Sequence, residues 1–228
     1  AALAAITGAT LGRLAEGGNA AGAYLAGAVP HRTAGARLLP QPGLTTADML
    51  RAPLRAYLLF GGLEPSMDTL DAGSPQTLAR AELVAAITPF ASAELRQVAH
   101  LLLPMGTFAE SAGTYVNCEG LWQSQPGAAV PVGEARPGWK VLRVLGTLLG
   151  LAGFEYQSAE DVLSEVRSLC AGVAPEGYAG SHAVQPGIGA AATAGGLADV
   201  PMYQTDAVVR RAASLQKTRE GRTPAANY

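Results

Sequence analysis

The sequence AYLLFGG at residues 56–62 and the sequence LVAAITPF at residues 83–90 decide the fold of this chain. Each begins with a run of mainly apolar residues, Ala56–Phe60 and Leu83–Thr88. A short apolar run without polar alternation is typical of a parallel β-strand that is buried on both faces. The sequence therefore predicts two central strands of a layered α/β domain.

Helix signals follow each of these two runs. Ser74 and Pro75 predict a helix start, with serine as the N-cap and proline at the first position, and this helix is expected to reach about Glu82. Ser92 predicts the cap of the next helix, whose apolar face holds Leu95, Val98 and Leu102. The order strand, helix, strand, helix predicts a parallel sheet with right-handed crossovers.

The rest of the chain adds shorter predicted elements. Residues 114–123 are expected to form an extended arm or a hairpin around Glu119–Gly120. Further helices are expected in Glu16–Gly27, from Thr45 or Thr46 to Leu50, in Trp139–Leu151, from a Ser158–Asp161 capping box through Leu169, and once within Asp206–Thr218. We expect three regions: an α/β domain incomplete at its N-terminus (1–124), a connection with two helices packing on it (125–171) and a Gly/Ala-rich extended tail (172–228).

The composition narrows the class of protein. The 228 residues are 49% hydrophobic and 15% charged, with a formal net charge of -2 and a pI near 5.9. The charged fraction lies below the usual ~25%, so the surface is either simply Ala-rich or covered by partners. No basic patch suits nucleic acid, and no apolar run is long enough to cross a bilayer. The chain starts at Ala1 without a secretory signal, so we expect a processed protein or a piece of a longer one.

Cysteine and histidine offer little redox or metal chemistry. The two cysteines, Cys118 and Cys170, are too few for an iron–sulfur cluster, and both are expected to be reduced and inert. The three histidines (His31, His100 and His182) follow no metal-ligand spacing, and we expect solvated or locally hydrogen-bonded side chains. The GxGxxA match that starts at Gly187 lacks a preceding strand and is interpreted as chance.

Two segments carry the candidate site residues. In FAESAGTYVNCEGLWQ, residues 108–123, the polar and turn-forming positions are Glu110, Gly113, Thr114, Asn117, Glu119 and Gln123. Two carboxylates there suit acid–base chemistry, but glycine turns and backbone-binding Asn and Thr favour a structural or interface role. In GGLEP, at the carboxyl end of the first strand, the candidates are Gly61, Gly62, Glu64 and Pro65, interpreted as a ligand-binding or structural turn.

The amino-acid sequence of the chain resembles one protein family through most of its length. The segments that carry the resemblance are GGNAAGAYLAGAVPHR, GGLEP, ITPFAS, FAESAGTYVNCEG, GEARPGWKVLRVLGTLLGL and VPMYQTDAVVRRA. They are similar to the C-terminal part of the large iron–sulfur subunit, the 75 kDa type, of bacterial NADH:quinone oxidoreductase, respiratory complex I. By fold, that subunit belongs to the molybdopterin oxidoreductase superfamily. The resemblance implies a parallel-sheet α/β domain with a helical and irregular C-terminal extension.

The resemblance also implies what the candidate residues have lost. In cofactor-bearing relatives the first turn ends in Asn-Pro beside the pterin dinucleotide, whereas this chain has Glu64. A pair of arginines usually follows the position of Glu119, whereas Gly120 and Leu121 stand here. The ten candidate positions are therefore expected to be vestigial, with no catalytic, cofactor-binding or metal-binding residue.

The expected function follows from the resemblance. It implies a non-catalytic scaffold that supports electron transfer from NADH to quinone, with iron–sulfur clusters in an N-terminal portion absent here. The implied partners are other peripheral-arm subunits on the cytoplasmic side of the bacterial inner membrane, without membrane insertion. Apart from the resemblance, Trp122 and Trp139 are candidates either for interface anchors or for buried packing. Two alternatives stay open: a molybdopterin oxidoreductase fragment that retains its cofactor, and a free-standing interaction module.

Overall fold

The structure, a computed structural model, describes residues 6–9, 17–61, 74–173, 203, 206–219 and 221. The chain divides into two compact units, Gly17–Val173 and a second unit of Ala1–Glu16 with Ala174–Tyr228. In the described part of the first unit, the strands are β1 Arg32–Thr33, β2 Arg37–Leu38, β3 Ala56–Phe60, β4 Leu83–Thr88, β5 Leu101–Pro104, β6 Gly113–Val116 and β7 Trp122–Gln125. Its α-helices are α1 Ala20–Ala26, α2 Thr46–Arg51, α3 Ser74–Leu78, α4 Ala93–Val98, α5 Gly138–Leu148 and α6 Ala159–Leu169.

A parallel sheet in the order β3–β4–β5 forms the centre of this unit, as the two apolar runs predict. One of its faces packs on α3 and α4, and the buried cluster there joins strand residues to Leu78, Leu95 and Val98. Tyr57 brings a hydroxyl into this core. The hydroxyl donates a hydrogen bond to the Met49 carbonyl and accepts one from the Leu54 N–H, each at 2.8 Å. The core therefore buries no unpaired phenol.

The opposite face of the sheet is open along the edge strand β3, so the prediction that β3 is buried on both faces is wrong, whereas in β4 only Leu83 is exposed. Strand alternation and the register Ala56↔Leu83 and Ala85↔Leu101 place four large apolar side chains on this face. They are between 46 and 55% exposed: Leu58, Phe60, Leu83 and Leu101. The start of α5 lies beside Phe60, and Ile87 on the same face is fully buried. We call the four exposed residues the open face.

A third parallel strand replaces the predicted end of the second helix. Helix α4 has its N-cap at Ser92, as predicted, but ends at Val98, so Leu102 lies in β5 and not on the helix. His100 marks the change of direction. Its backbone N–H donates to the Val84 carbonyl at 2.8 Å, and the Nδ1 of its ring accepts a hydrogen bond from the Val84 backbone N–H at 3.0 Å. The His100 side chain is therefore hydrogen-bonded to the backbone of β4, 16 positions earlier in the sequence.

The helix boundaries otherwise follow local signals with small differences. Thr45 caps α2 and Ser158 caps α6, both in full capping boxes. Ser74 is the first residue of α3 and not its N-cap, and α3 ends at Leu78 and not near Glu82. After the helix the chain turns, and the Glu82 N–H donates to the Arg55 carbonyl at 2.8 Å just before β4 begins. Helix α5 ends at Leu148, three residues before the predicted end.

Among the described residues of the second unit, Val209–Arg211 and Leu215–Lys217 each form a short 3₁₀ helix. The prediction of one helix within Asp206–Thr218 is therefore wrong. The Asp206 side chain turns the chain here, because it accepts the N–H groups of Val208 and Val209. His182, the GxGxxA match and most of the predicted tail lie outside the described residues, and the three-region division stays a prediction.

Candidate functional site

The candidate residues start where the strands of the parallel sheet end. Gly61 follows β3 with a φ of +105°, a conformation that favours glycine, and its N–H donates to the Ile87 carbonyl at 2.9 Å. This is the edge at which open α/β sheets place ligands. The other three positions of that turn, Gly62, Glu64 and Pro65, lie outside the described residues.

Glu110 is held at the start of the polar segment, in the 3₁₀ helix Phe108–Glu110. Its carboxylate accepts hydrogen bonds from the Thr107 N–H at 2.7 Å and from the Thr107 hydroxyl at 3.0 Å. The bond from the Thr107 N–H, followed by that from its hydroxyl, lowers the pKa of Glu110 below its ordinary value of 4.5. Glu110 therefore caps its own turn as a carboxylate at neutral pH.

The rest of the segment forms an antiparallel hairpin, β6–β7, which was one of the two predicted forms. Asn117 builds the turn, because its Oδ1 accepts the N–H groups of Glu119 and Leu121 at 3.0 and 2.9 Å. Gly120 has a φ of +79° and makes the turn, as predicted. Gly113 does not make a turn: it is the first residue of β6 and pairs with Gln125.

The two carboxylates of the segment stay apart. Glu110 precedes β6 and Glu119 lies in the turn after it, and the four residues of β6 alone extend about 13 Å. Thr114 pairs its hydroxyl with Ser124 across the hairpin at 2.9 Å, and Gln123 is exposed on β7. The structure therefore does not bring Glu110 and Glu119 together as an acid–base pair.

Asn19 is a hairpin-holding residue that the sequence reasoning missed. It lies at the N-cap position of α1 but makes no side-chain cap there. Its Oδ1 instead accepts the Val116 N–H at 2.8 Å, across 97 positions of sequence, and Val116 is only 2% exposed. An asparagine ahead of a helix is the only local signal, and it predicts a cap and not a bond to a distant strand.

Charge and sulfur chemistry in this region are limited. No lysine or arginine occurs between Thr107 and Gln125. Cys118 is exposed, whereas the Cys170 thiol lies near the Leu25 carbonyl, and burial raises the pKa of Cys170 above its ordinary value of 9.0. In the described ranges, no group of three or more His, Cys, Asp or Glu is placed to hold a metal ion. Among the helices of those ranges, none is long and apolar enough to cross a bilayer.

A family model for molybdopterin oxidoreductases matches residues 3–148, which include the parallel sheet and the hairpin. The chain belongs to the molybdopterin oxidoreductase family. This confirms the predicted fold class.

Several known proteins are similar to parts of this chain. A nitrate reductase from Synechocystis sp. is 30% identical over 119 residues, which is 50% of this chain and 16% of that protein. The mitochondrial NADH-ubiquinone oxidoreductase 78 kDa subunit of Neurospora crassa is 44% identical over 55 residues, 24% of this chain and 7% of that subunit. The F420-dependent formate dehydrogenase subunit alpha of Methanocaldococcus jannaschii is 27% identical over 135 residues, which is 58% of this chain and 20% of that subunit. The chain thus spans a fifth or less of the length of these relatives.

Proposed function

We propose that this chain is a scaffold portion of the iron–sulfur subunit of a bacterial NADH:quinone oxidoreductase, without a redox cofactor of its own. The chain would brace other peripheral-arm subunits on the cytoplasmic side of the inner membrane. Iron–sulfur clusters would belong to the N-terminal portion of the parent subunit. The 44% identity to the 78 kDa subunit over 55 residues supports this assignment.

The main support for the proposal is that polar side chains between Thr107 and Gln125 bind other groups of the same segment. The Glu110 carboxylate accepts a hydrogen bond from the Thr107 hydroxyl, and the Asn117 side chain binds the backbone of its own turn. The hydroxyls of Thr114 and Ser124 are hydrogen-bonded to each other. A pterin dinucleotide carries two phosphates, which proteins bind with cations and free N–H donors. A segment with two carboxylates and no lysine or arginine between Thr107 and Gln125 does not fit such an anion.

A cofactor-holding molybdopterin oxidoreductase is the second candidate. The nitrate reductase and formate dehydrogenase similarities favour it, because they extend over 50% and 58% of this chain. Gly61 also retains a left-handed turn at the ligand-binding edge of the sheet. The two candidates differ in whether this region holds a pterin.

Purification of the native protein through a tag on this chain separates the two candidates. The scaffold proposal expects co-purification of NADH:quinone oxidoreductase subunits, with no stoichiometric molybdenum and no fluorescent pterin after acid oxidation. A nitrate reductase prepared in parallel is the positive control for both assays. Stoichiometric pterin with nitrate or formate activity would overturn the scaffold proposal in favour of the second candidate.

A further inference from the structure

A shallow cleft, largely open to solvent, lies between the tip of the hairpin and the end of α6. It has a volume of about 390 Å³ and is lined by Gly120, Leu121, Trp122, Arg167 and Cys170. Leu121 is 56% exposed, while Trp122 is half-buried at the start of β7. The cleft therefore combines an aromatic ring and an exposed apolar side chain with one cation.

Arg167 is the cation of this cleft, and it has no anionic partner among the described residues. Its guanidinium lies 5.6 Å from the centre of the Trp122 ring. Within the described parts of the chain it makes no ion pair or hydrogen bond, in contrast to Arg51 and Arg55, which pair with carboxylates at 2.9 and 2.7 Å. A cation–aromatic contact at this distance leaves the N–H donors of the guanidinium available.

The chemistry of the cleft selects an acidic ligand with an apolar neighbour. A guanidinium binds a carboxylate through two parallel N–H donors, and the exposed Leu121 offers apolar contact beside it. The raised pKa of Cys170 keeps that thiol protonated at neutral pH, so no thiolate competes for Arg167. Tryptophan and arginine are also the residues that most often dominate binding energy at protein interfaces.

We propose that this cleft is a docking site for a partner protein segment in which an aspartate or glutamate stands next to an apolar residue. The carboxylate binds Arg167, and the apolar side chain packs on Leu121 and Trp122. One cation is too weak an anchor for nucleic acid or for an anionic membrane surface, which both require several. The identity of the partner as a respiratory subunit rests on the proposed function, whereas the chemistry of the cleft does not.

Photo-cross-linking in the native host tests this site. The full protein carries p-benzoylphenylalanine in place of Leu121, and the cross-linked peptide is identified by mass spectrometry after irradiation of cells. We expect a partner peptide that contains an acidic residue beside an apolar one. Arg167→Glu should lower the cross-linking yield at least tenfold, and replacing the partner's acidic residue with arginine should restore the yield in the Arg167→Glu background.

Lys140 provides the matched control. Its ammonium lies 5.5 Å from the centre of the Trp139 ring, a similar cation–aromatic pair that does not line the cleft. Lys140→Glu should leave the yield unchanged. An equal loss in both variants, a missing charge-reversal rescue, a cross-link to a second copy of this chain, or no cross-link would each overturn the docking proposal.

The outcomes also separate this inference from the proposed function. If respiratory subunits co-purify but no cross-link forms from the cleft, the docking site is overturned and the scaffold role stays intact. A rescued cross-link to a protein of another assembly would support the docking site and overturn the scaffold role.

Discussion

The parallel sheet and the β6–β7 hairpin are stabilised in different ways. The sheet packs Val84 and Ala86 against helices that bury Leu78 and Leu95 completely or nearly so. The hairpin instead depends on single polar groups that bind backbone, Asn117 within the turn and Asn19 from a distant helix. Apolar volume therefore determines the stability of one region, and individual hydrogen bonds that of the other. Four substitutions or titrations test this difference.

The largest effect is expected in the sheet core. Leu95→Ala removes a fully buried side chain and leaves a cavity, so the free energy of unfolding should fall by about 2–5 kcal/mol in denaturant titration. Leu101→Ala on the open face is the control and should cost less than about 1 kcal/mol. Equal losses would show that the open face is covered in solution.

Loss of the Asn19 side chain should have the next largest effect. Asn19→Ala leaves the Val116 N–H buried without an acceptor, which costs about 1–3 kcal/mol. Asn19→Asp retains an oxygen acceptor and should cost less. Hydrogen exchange at the Val116 amide measures the effect locally, and protection that persists in Asn19→Ala would contradict the proposed link between α1 and the hairpin.

A smaller change is expected at the hairpin turn. Gly120→Ala forces a Cβ into a residue with a φ of +79°, at a cost of about 1–2 kcal/mol. Gly113→Ala is matched in chemistry, but it lies in extended backbone where an added Cβ would meet its nearest neighbour at 3.9 Å. Exchange of the β6–β7 amides should rise only for Gly120→Ala, and a similar rise in both variants would refute the turn assignment.

The smallest effect is a pH dependence at the base of the hairpin. The folded state lowers the pKa of Glu110 below 4.5, so its stabilising bonds to Thr107 are fully formed above that value. They should be lost as the pH falls through the lowered pKa. Faster exchange of the Thr107 amide in acid, corrected for its intrinsic pH dependence, would report this. Glu110→Gln keeps a capping acceptor that does not titrate, so an unchanged acid response in that variant would exclude Glu110 as its origin.

Local signals predicted most of the fold and part of the site. Apolar runs identified β3 and β4, and capping residues placed the starts of α2, α4 and α6, because these features depend on residues a few positions apart. Asn117 was predictable for the same reason, since it binds the turn in which it lies.

Long-range contacts explain what the sequence did not reveal. Leu102 keeps a helical spacing with Leu95 and Val98, yet the His100–Val84 pairing ends the helix and starts β5. The bond from Asn19 to Val116 depends on how two distant segments meet. An apolar run likewise indicates that a strand is hydrophobic, but not whether another layer lies on each face.

The open face has a practical consequence for anyone who produces this chain alone. Four large apolar side chains at about half exposure form an adhesive surface on a sheet, and such surfaces bind hydrophobic dyes, chaperones and one another. The fraction of the protein that stays in solution should therefore fall steeply as the protein concentration rises. A lysine in place of Leu58 is the simplest modification for raising solubility, because it adds charge at the centre of the edge strand while leaving the buried side of the sheet unchanged.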